Sequence, residues 1–401
     1  MRNKIVAVII LLLSGSFSST VIQSYVILFE LLLFIYILTN LLLTLGSKMQ
    51  RIKYDDIIRP LITFSTVIGI SMINSIFVLK QSLFTMLNNH FDSILGLLFL
   101  VIMTYNKKKF SYSSILRHLE VMTLILVMVF ILIQTTSQNE IVMVKGALSG
   151  IEHTYNIQNI GSILFVFFGI RRFLYFVKCF ELKSLFLAFL YLGYPIVFQN
   201  SRILIISLAL VAFFSLFRAP KRVQQKGILL CTSVVVLLFS LYYFGGPKGF
   251  VQTKYSSLKS AITLVFTGEE LGAEVGTSIR ILEMKQALTS LKNRYLLGTG
   301  SIGNSWGTSG ENYFYSSDIG ILGIVLEVGL IGLLLLVTAF LGVYRVFKVS
   351  STELKYFFHL LLLINLTTGY LYFELLPTLT FLSLAIIKTS QDDSMDNSIL
   401  L

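Results

Sequence analysis

The chain has 401 residues, of which 55% are apolar and 13% charged, and its formal net charge is +12. A soluble chain carries about a quarter charged residues, so the composition excludes an ordinary water-soluble domain. The positive charge does not read as a nucleic-acid footprint, because the basic residues gather in short links between apolar runs, as topology signals do.

Repeated apolar runs of about 20 residues match helices that cross a hydrocarbon core about 30 Å thick. The weak apolar–polar alternation of a membrane β-barrel is missing. The fold class expected is an all-α polytopic membrane protein with about 12 transmembrane helices.

In chain order, Arg2 and Lys4 precede a first span of roughly 5–20, read as uncleaved, and the second runs about 22–45. A basic link follows, with Pro60 in the first turn of span three, 60–79, where its missing N–H costs nothing. A short link, 80–90, leads to span four, 91–105, which ends at Lys107-Lys108-Lys109. Span five is 119–134, and a polar interval from Gln134 to Asn159 separates it from span six, 160–170, capped by Arg171-Arg172. Span seven, 184–198, turns tightly through Gln199-Asn200-Ser201-Arg202 into span eight, 203–217, and span nine is 228–244. The interval Gly245–Asp318 is the one long polar stretch. Spans ten (319–343), eleven (356–372) and twelve (375–388) follow it, and a short acidic tail closes the chain.

With both termini inside, these spans put 22 of the 32 basic residues on the cytoplasmic side. The long loop, which the positive-inside rule discounts, holds seven of the other ten. The division expected is therefore helices one to nine in 1–244, an outward loop with short helices in 245–318, and the last three helices with a cytoplasmic tail in 319–401. No repeat relates the two halves, whereas many transporter folds carry one. Cys179 and Cys231 fall in different settings and His90, His118, His153 and His359 are scattered, so neither a disulfide nor a metal site is expected.

Within the loop, Thr277–Asn293 predicts a helix. Thr277 or Ser278 would cap its start, and Ile281, Met284, Leu288 and Leu291 would form one apolar face. Arg280 would then sit in the first turn, where a cation opposes the macrodipole. With the free N–H groups of a helix start, a guanidinium there suits a phosphate or diphosphate; pairing with Glu283 is the plainer reading. Arg202 enters span eight on the outward side. It reads either as a snorkelling residue or as a cavity-lining cation that, with Arg280, clamps two phosphates through bidentate bonds lysine cannot make.

Gly298-Thr299-Gly300-Ser301-Ile302-Gly303 matches G-x-G-x-x-G, but no strand–helix unit surrounds it, so a dinucleotide site is rejected. The glycines read instead as a tight turn allowing close backbone approach to a ligand. Glu311 and Asp318 precede span ten, where a carboxylate would accept a proton from a sugar hydroxyl or simply be solvated. Glu327 and Glu30 fall inside spans, as cavity-lining or structurally paired acids.

Three features together carry a resemblance. They are Ser201-Arg202 opening a span, the Arg280-led helix running into Leu297–Gly303, and Ser317-Asp-Ile-Gly-Ile-Leu-Gly-Ile-Val-Leu-Glu-Val-Gly-Leu-Ile-Gly332. The chain resembles the O-antigen ligase and Wzy-type polysaccharide polymerase superfamily of bacterial inner-membrane proteins. The resemblance implies a GT-C-like, metal-independent glycosyltransferase without cofactors, acting on undecaprenyl-diphosphate-linked sugars. Arg202 and Arg280 would hold the donor diphosphate, with Asp318 or Glu311 as base. Trp306, Tyr313 and Tyr315 would stack on sugars or anchor at the interface. Ligases of this family carry a histidine just before the span after the large loop. This chain has none between His153 and His359, which points to a polymerase. The implied partners are lipid-linked donor and acceptor oligosaccharides, membrane lipids and a chain-length regulator, with no nucleic acid. A glycan ligase, or a flippase of the same lipid-linked units, is the competing expectation.

Overall fold

A computed structural model describes residues 2–14, 32, 57–136, 162–198, 208, 210–211, 213–214, 217, 221, 224–225, 275–301, 319–365 and 375–399. Every regular element among them is helical. In chain order they are α1 (Arg2–Leu13), α2 (Ile58–Phe77), α3 (Leu83–Asn89), α4 (Phe91–Asn106), a 3-10 turn Lys107–Lys109, and α5 (Tyr112–Thr136). Then come α6 (Ser162–Cys179), α7 (Leu182–Phe198), α8 (Val275–Leu291), α9 (Ile321–Ser350), α10 (Thr352–Asn365) and α11 (Leu375–Ile399). Among the described residues α2, α5 and α9 are long and apolar enough to cross a membrane, and α3 with α4 makes a fourth if that bent pair is one span. The chain is a helical membrane protein. The second, eighth and ninth predicted spans and Glu30 lie outside or largely outside the described residues.

Several boundaries differ from the sequence expectation for identifiable reasons. The link 80–90 holds α3, because the Ser82 hydroxyl accepts the Thr85 N–H at 3.1 Å and so caps a helix start. His90 then separates α3 from α4, which are bent by 59°.

Span six does not stop at Arg171-Arg172; α6 runs through them to Cys179. Both guanidiniums bond the Glu120 carboxylate of α5, Arg171 Nη1 to Oε2 at 2.9 Å and Arg172 Nε to Oε1. The Tyr191 hydroxyl of α7 donates to the Glu120 carbonyl at 3.0 Å. One acid thus fixes three helices, and its charge lets two arginines stay inside a helix. Glu120→Ala should lower stability by about 1–3 kcal/mol, since the arginines lose their counter-charge but keep part of their hydration. Thermal unfolding of the detergent-purified variant measures this.

The acidic tail is also helical, as α11 continues to Ile399. Lys388 and Asp392 form an i,i+4 pair at 2.7 Å, and Gln391 Nε2 donates to the Phe110 carbonyl at 2.7 Å, so the helix end has partners that composition does not reveal.

The core between these helices is aromatic. Phe381 of α11 meets Phe357 of α10 at 4.6 Å and Phe167 of α6 at 4.8 Å between ring centroids, and all three are fully buried. The Phe64 ring of α2 contacts Phe340 of α9 edge-on at 5.5 Å. Offset and edge-to-face pairs add attraction beyond the buried area, and here they join α6, α10 and α11 on one side and α2 with α9 on the other.

Candidate functional site

Among the described residues, a polar buried region lies where α2, α9 and the end of the large loop meet. It starts from a break. Gly329, inside α9, has φ 70 and ψ −176, a conformation closed to residues with a Cβ. A break of this kind interrupts the helix's own hydrogen bonding and leaves buried backbone groups needing other partners.

The loop supplies them. After α8 the chain turns, with the Arg294 N–H donating to the Leu291 carbonyl at 2.7 Å and the Gly298 N–H to the Arg294 carbonyl at 2.9 Å. It then runs as an arm, 295–301, along the break. Leu330 N–H donates to Tyr295 O at 2.8 Å and Ile331 N–H to Leu296 O at 3.2 Å. In return Thr299 N–H donates to Leu326 O at 2.7 Å and Gly300 N–H to Glu327 O at 2.9 Å. The Thr299 hydroxyl also donates to Leu326 O at 2.9 Å.

The other side of the arm lies on α2. The Asn74 amide donates to the Leu297 carbonyl, Ser75 Oγ accepts the Ser301 N–H at 2.9 Å, and Gln81 Nε2 donates to the Ser301 carbonyl at 2.9 Å. Gly298 has φ 74 and Gly300 φ 96. A Cβ on Gly298 would come within 2.6 Å of Gly329 N, and one on Gly300 within 2.7 Å of the Asn74 carbonyl carbon. The turn expected at Gly298 and Gly300 is therefore present, and both approach the protein's own backbone closely.

Beneath the arm sits a side-chain cluster that sequence reasoning missed. Ser71 Oγ donates to Glu327 Oε1 at 2.7 Å. His90 Nε2 lies 2.9 Å from Ser71 Oγ and 4.0 Å from Glu327 Oε1, and its Nδ1 is 2.8 Å from the Met86 carbonyl. A carbonyl only accepts, so Nδ1 carries the hydrogen. Ser71, His90 and Glu327 are all buried. A signal existed: Ser71, Asn74 and Ser75 recur at helical spacing within an apolar span and form a polar stripe along one face of α2. Of the two readings for Glu327, these contacts are those of structural pairing. Among the described residues no three His, Cys, Asp or Glu side chains converge as metal ligands would.

The loop helix exists but differs from expectation in start and face. It begins at Val275, so Thr277 and Ser278 lie within it rather than capping it, and Arg280 falls in the second turn. Among its described side chains, 283–291, Glu283, Ala287 and Leu291 are buried, whereas Met284 and Leu288 are 41% and 51% exposed. Ala287 and Leu291 pack with Ile319, Val325 and Leu326 at the start of α9. Leu291 is thus buried as the periodicity expects, Met284 and Leu288 are not, the side chain of Ile281 lies outside the described residues, and an acid, Glu283, takes a buried position. Of Arg280 only the backbone is described. Arg202, Trp306, Glu311, Tyr313, Tyr315 and Asp318 lie outside the described residues.

A polytopic helical bundle holding the end of a long polar loop in a broken span defines a class of membrane protein built around that loop. Residues 187–337 match the family model described as O-antigen ligase. The matched segment, which is similar to that family, contains Arg202, Arg280, the arm and Glu327. No curated protein matches the chain.

Proposed function

We propose that this protein is a polysaccharide polymerase that joins undecaprenyl-diphosphate-linked repeat units on the outer face of the bacterial cytoplasmic membrane. The observation that carries the reading is the extent of the family match. Residues 187–337 include both outward arginines, the whole large loop and the arm that ties it to the bundle. The absence of a histidine between His153 and His359 favours polymerase over ligase, given the family pattern.

In this reading the chain has about twelve spans in a GT-C-like arrangement with both termini cytoplasmic. Residues 1–244 and 319–401 form the bundle, and 245–318 form the outward catalytic loop. Arg202 and Arg280 hold the donor diphosphate. A hydroxyl oxygen of the acceptor unit attacks the donor's anomeric carbon as the bond from that carbon to the diphosphate breaks. The hydroxyl proton passes to Asp318 or Glu311, and undecaprenyl diphosphate departs carrying the electron pair. Fixed guanidiniums stabilise charge as it grows on the departing oxygens, so a metal is not required by this chemistry. Trp306, Tyr313 and Tyr315 flank the sugars.

The test is polymer formation by purified protein from lipid-linked repeat units. Arg202→Ala and Arg280→Ala should each lose at least about 100-fold in rate, the scale for removing one stabilising donor. Lysine at either position should fail to restore it. Long polymer from both alanine variants would end the diphosphate assignment.

The description of the matched family, O-antigen ligase, favours one second reading, transfer of a finished glycan to a different acceptor. Product analysis separates the two, since a ligase leaves chain length unchanged.

A further inference from the structure

The four backbone bonds between the arm and α9 involve a particular set of groups. In a continuous helix each N–H bonds the carbonyl four residues back, so Leu330 N–H would bond Leu326 O and Ile331 N–H would bond Glu327 O. Those same four groups bond the arm here: the two N–H groups donate to Tyr295 O and Leu296 O, and the two carbonyls accept from Thr299 and Gly300. The break therefore exchanges two helix bonds for four arm bonds. If the arm left, α9 would regain its two, and the arm's four groups would turn to water or other partners.

Gly329 is suited to both forms. Its φ of 70 and ψ of −176 belong to the bent one, and glycine enters the helical region as readily. The arm follows α8 directly, so its seat also sets where α8 and the backbone of Arg280 stand.

We propose that 295–301 is a releasable clasp. The α9 helix exchanges between the bent, clasped form and a continuous helix, and the exchange docks and lifts α8 and Arg280 during turnover. The mechanical part stands on the geometry; its link to turnover rests on the transferase reading above. Ser75 and Gln81 of the α2 side are positioning residues in this scheme, because they act on the reaction through the arm.

The test uses full-length protein in nanodiscs with Cys179→Ser and Cys231→Ser, carrying Ser75→Cys and Ser301→Cys. The Ser75 hydroxyl lies 2.9 Å from the Ser301 N–H, so a disulfide reports the clasped form. Two readouts follow. First, adding Gly329→Ala should slow disulfide formation under mild oxidant, because a Cβ at φ 70 is strained and would overlap the Leu296 carbonyl. Cross-linking as fast as with glycine would overturn the two-form helix.

Second, the oxidised, locked protein should still bind lipid-linked donor with unchanged affinity yet lose polymer formation, and thiol reductant should restore it. Full-rate polymerisation while locked would overturn the clasp as a moving part. If the protein with only Cys179→Ser and Cys231→Ser bound donor but made no polymer, the transferase reading would fail, while the cross-linking rates would still decide the two-form helix.

Discussion

Gly300→Ala should cost about 2–4 kcal/mol of stability and dislodge the large loop from the bundle. The backbone at Gly300 has φ 96, and a non-glycine residue held in such a region carries roughly 1–3 kcal/mol of strain. Space adds to this. The new Cβ would lie within 2.7 Å of the Asn74 carbonyl carbon and the Ser75 Cα, both backbone atoms of α2, so no rotamer change relieves the overlap. Relief comes only if the arm withdraws, which breaks the Gly300 and Thr299 bonds to α9 and the Ser301 bond to Ser75.

Gly69→Ala is the control. Gly69 lies in α2 with nothing within 4 Å of a built Cβ, so alanine there should be neutral or stabilise by up to about 1 kcal/mol through helix propensity. Melting temperatures of the two variants in one detergent give the comparison. Equal melting points would mean that the arm contributes little to the fold.

How much the sequence reveals depends on whether a feature is set locally or across the bundle. Apolar runs placed α2, α4 and α7 to within about two residues, because burial in hydrocarbon needs only length and composition. The loop helix was legible from its apolar residues at spacings of three and four. Its described buried positions were legible only in part: Leu291 was expected, but Ala287 packs with Val325 and Leu326 of α9 and Glu283 is buried, and an apolarity count passes over both. The extension of α6 through Arg171-Arg172 depends on an acid 51 residues earlier. The break in α9 was equally hidden. Gly329 looks like one of several glycines in an apolar span, and only the arm from 295–301 gives its backbone groups partners. Gly298 and Gly300 were read correctly as turn residues, but what they approach could not be inferred from local spacing. His90 looked isolated because its partners, Ser71 and Glu327, lie 19 residues before it and far downstream in α9.

The second large effect is expected at Glu327, and it separates the two roles open to an acid inside a span. Glu327→Leu keeps the side chain's bulk but removes the oxygen that accepts from Ser71 at 2.7 Å. It also removes the carboxylate facing His90 Nε2 at 4.0 Å. Both partners are buried, so their polar groups lose a neighbour without gaining water, a loss of about 2–4 kcal/mol. Ser71→Ala removes only the linking hydroxyl and should cost less, about 1–2 kcal/mol.

If Glu327 holds the arm's seat, Glu327→Leu should lower the melting temperature and loosen the arm, detected as faster cleavage of the large loop by protease. Activity should fall in proportion to the fraction of arm released. Were Glu327 instead a cavity-lining acid acting on substrate, activity would vanish while the melting temperature and the protease pattern stayed those of the wild type. The contacts with Ser71 and His90 make the first outcome the expected one. The two partners also set the order of severity, Glu327→Leu above Ser71→Ala, because an apolar residue at 327 leaves two buried polar side chains facing it, whereas alanine at 71 removes only the hydroxyl between Glu327 and His90.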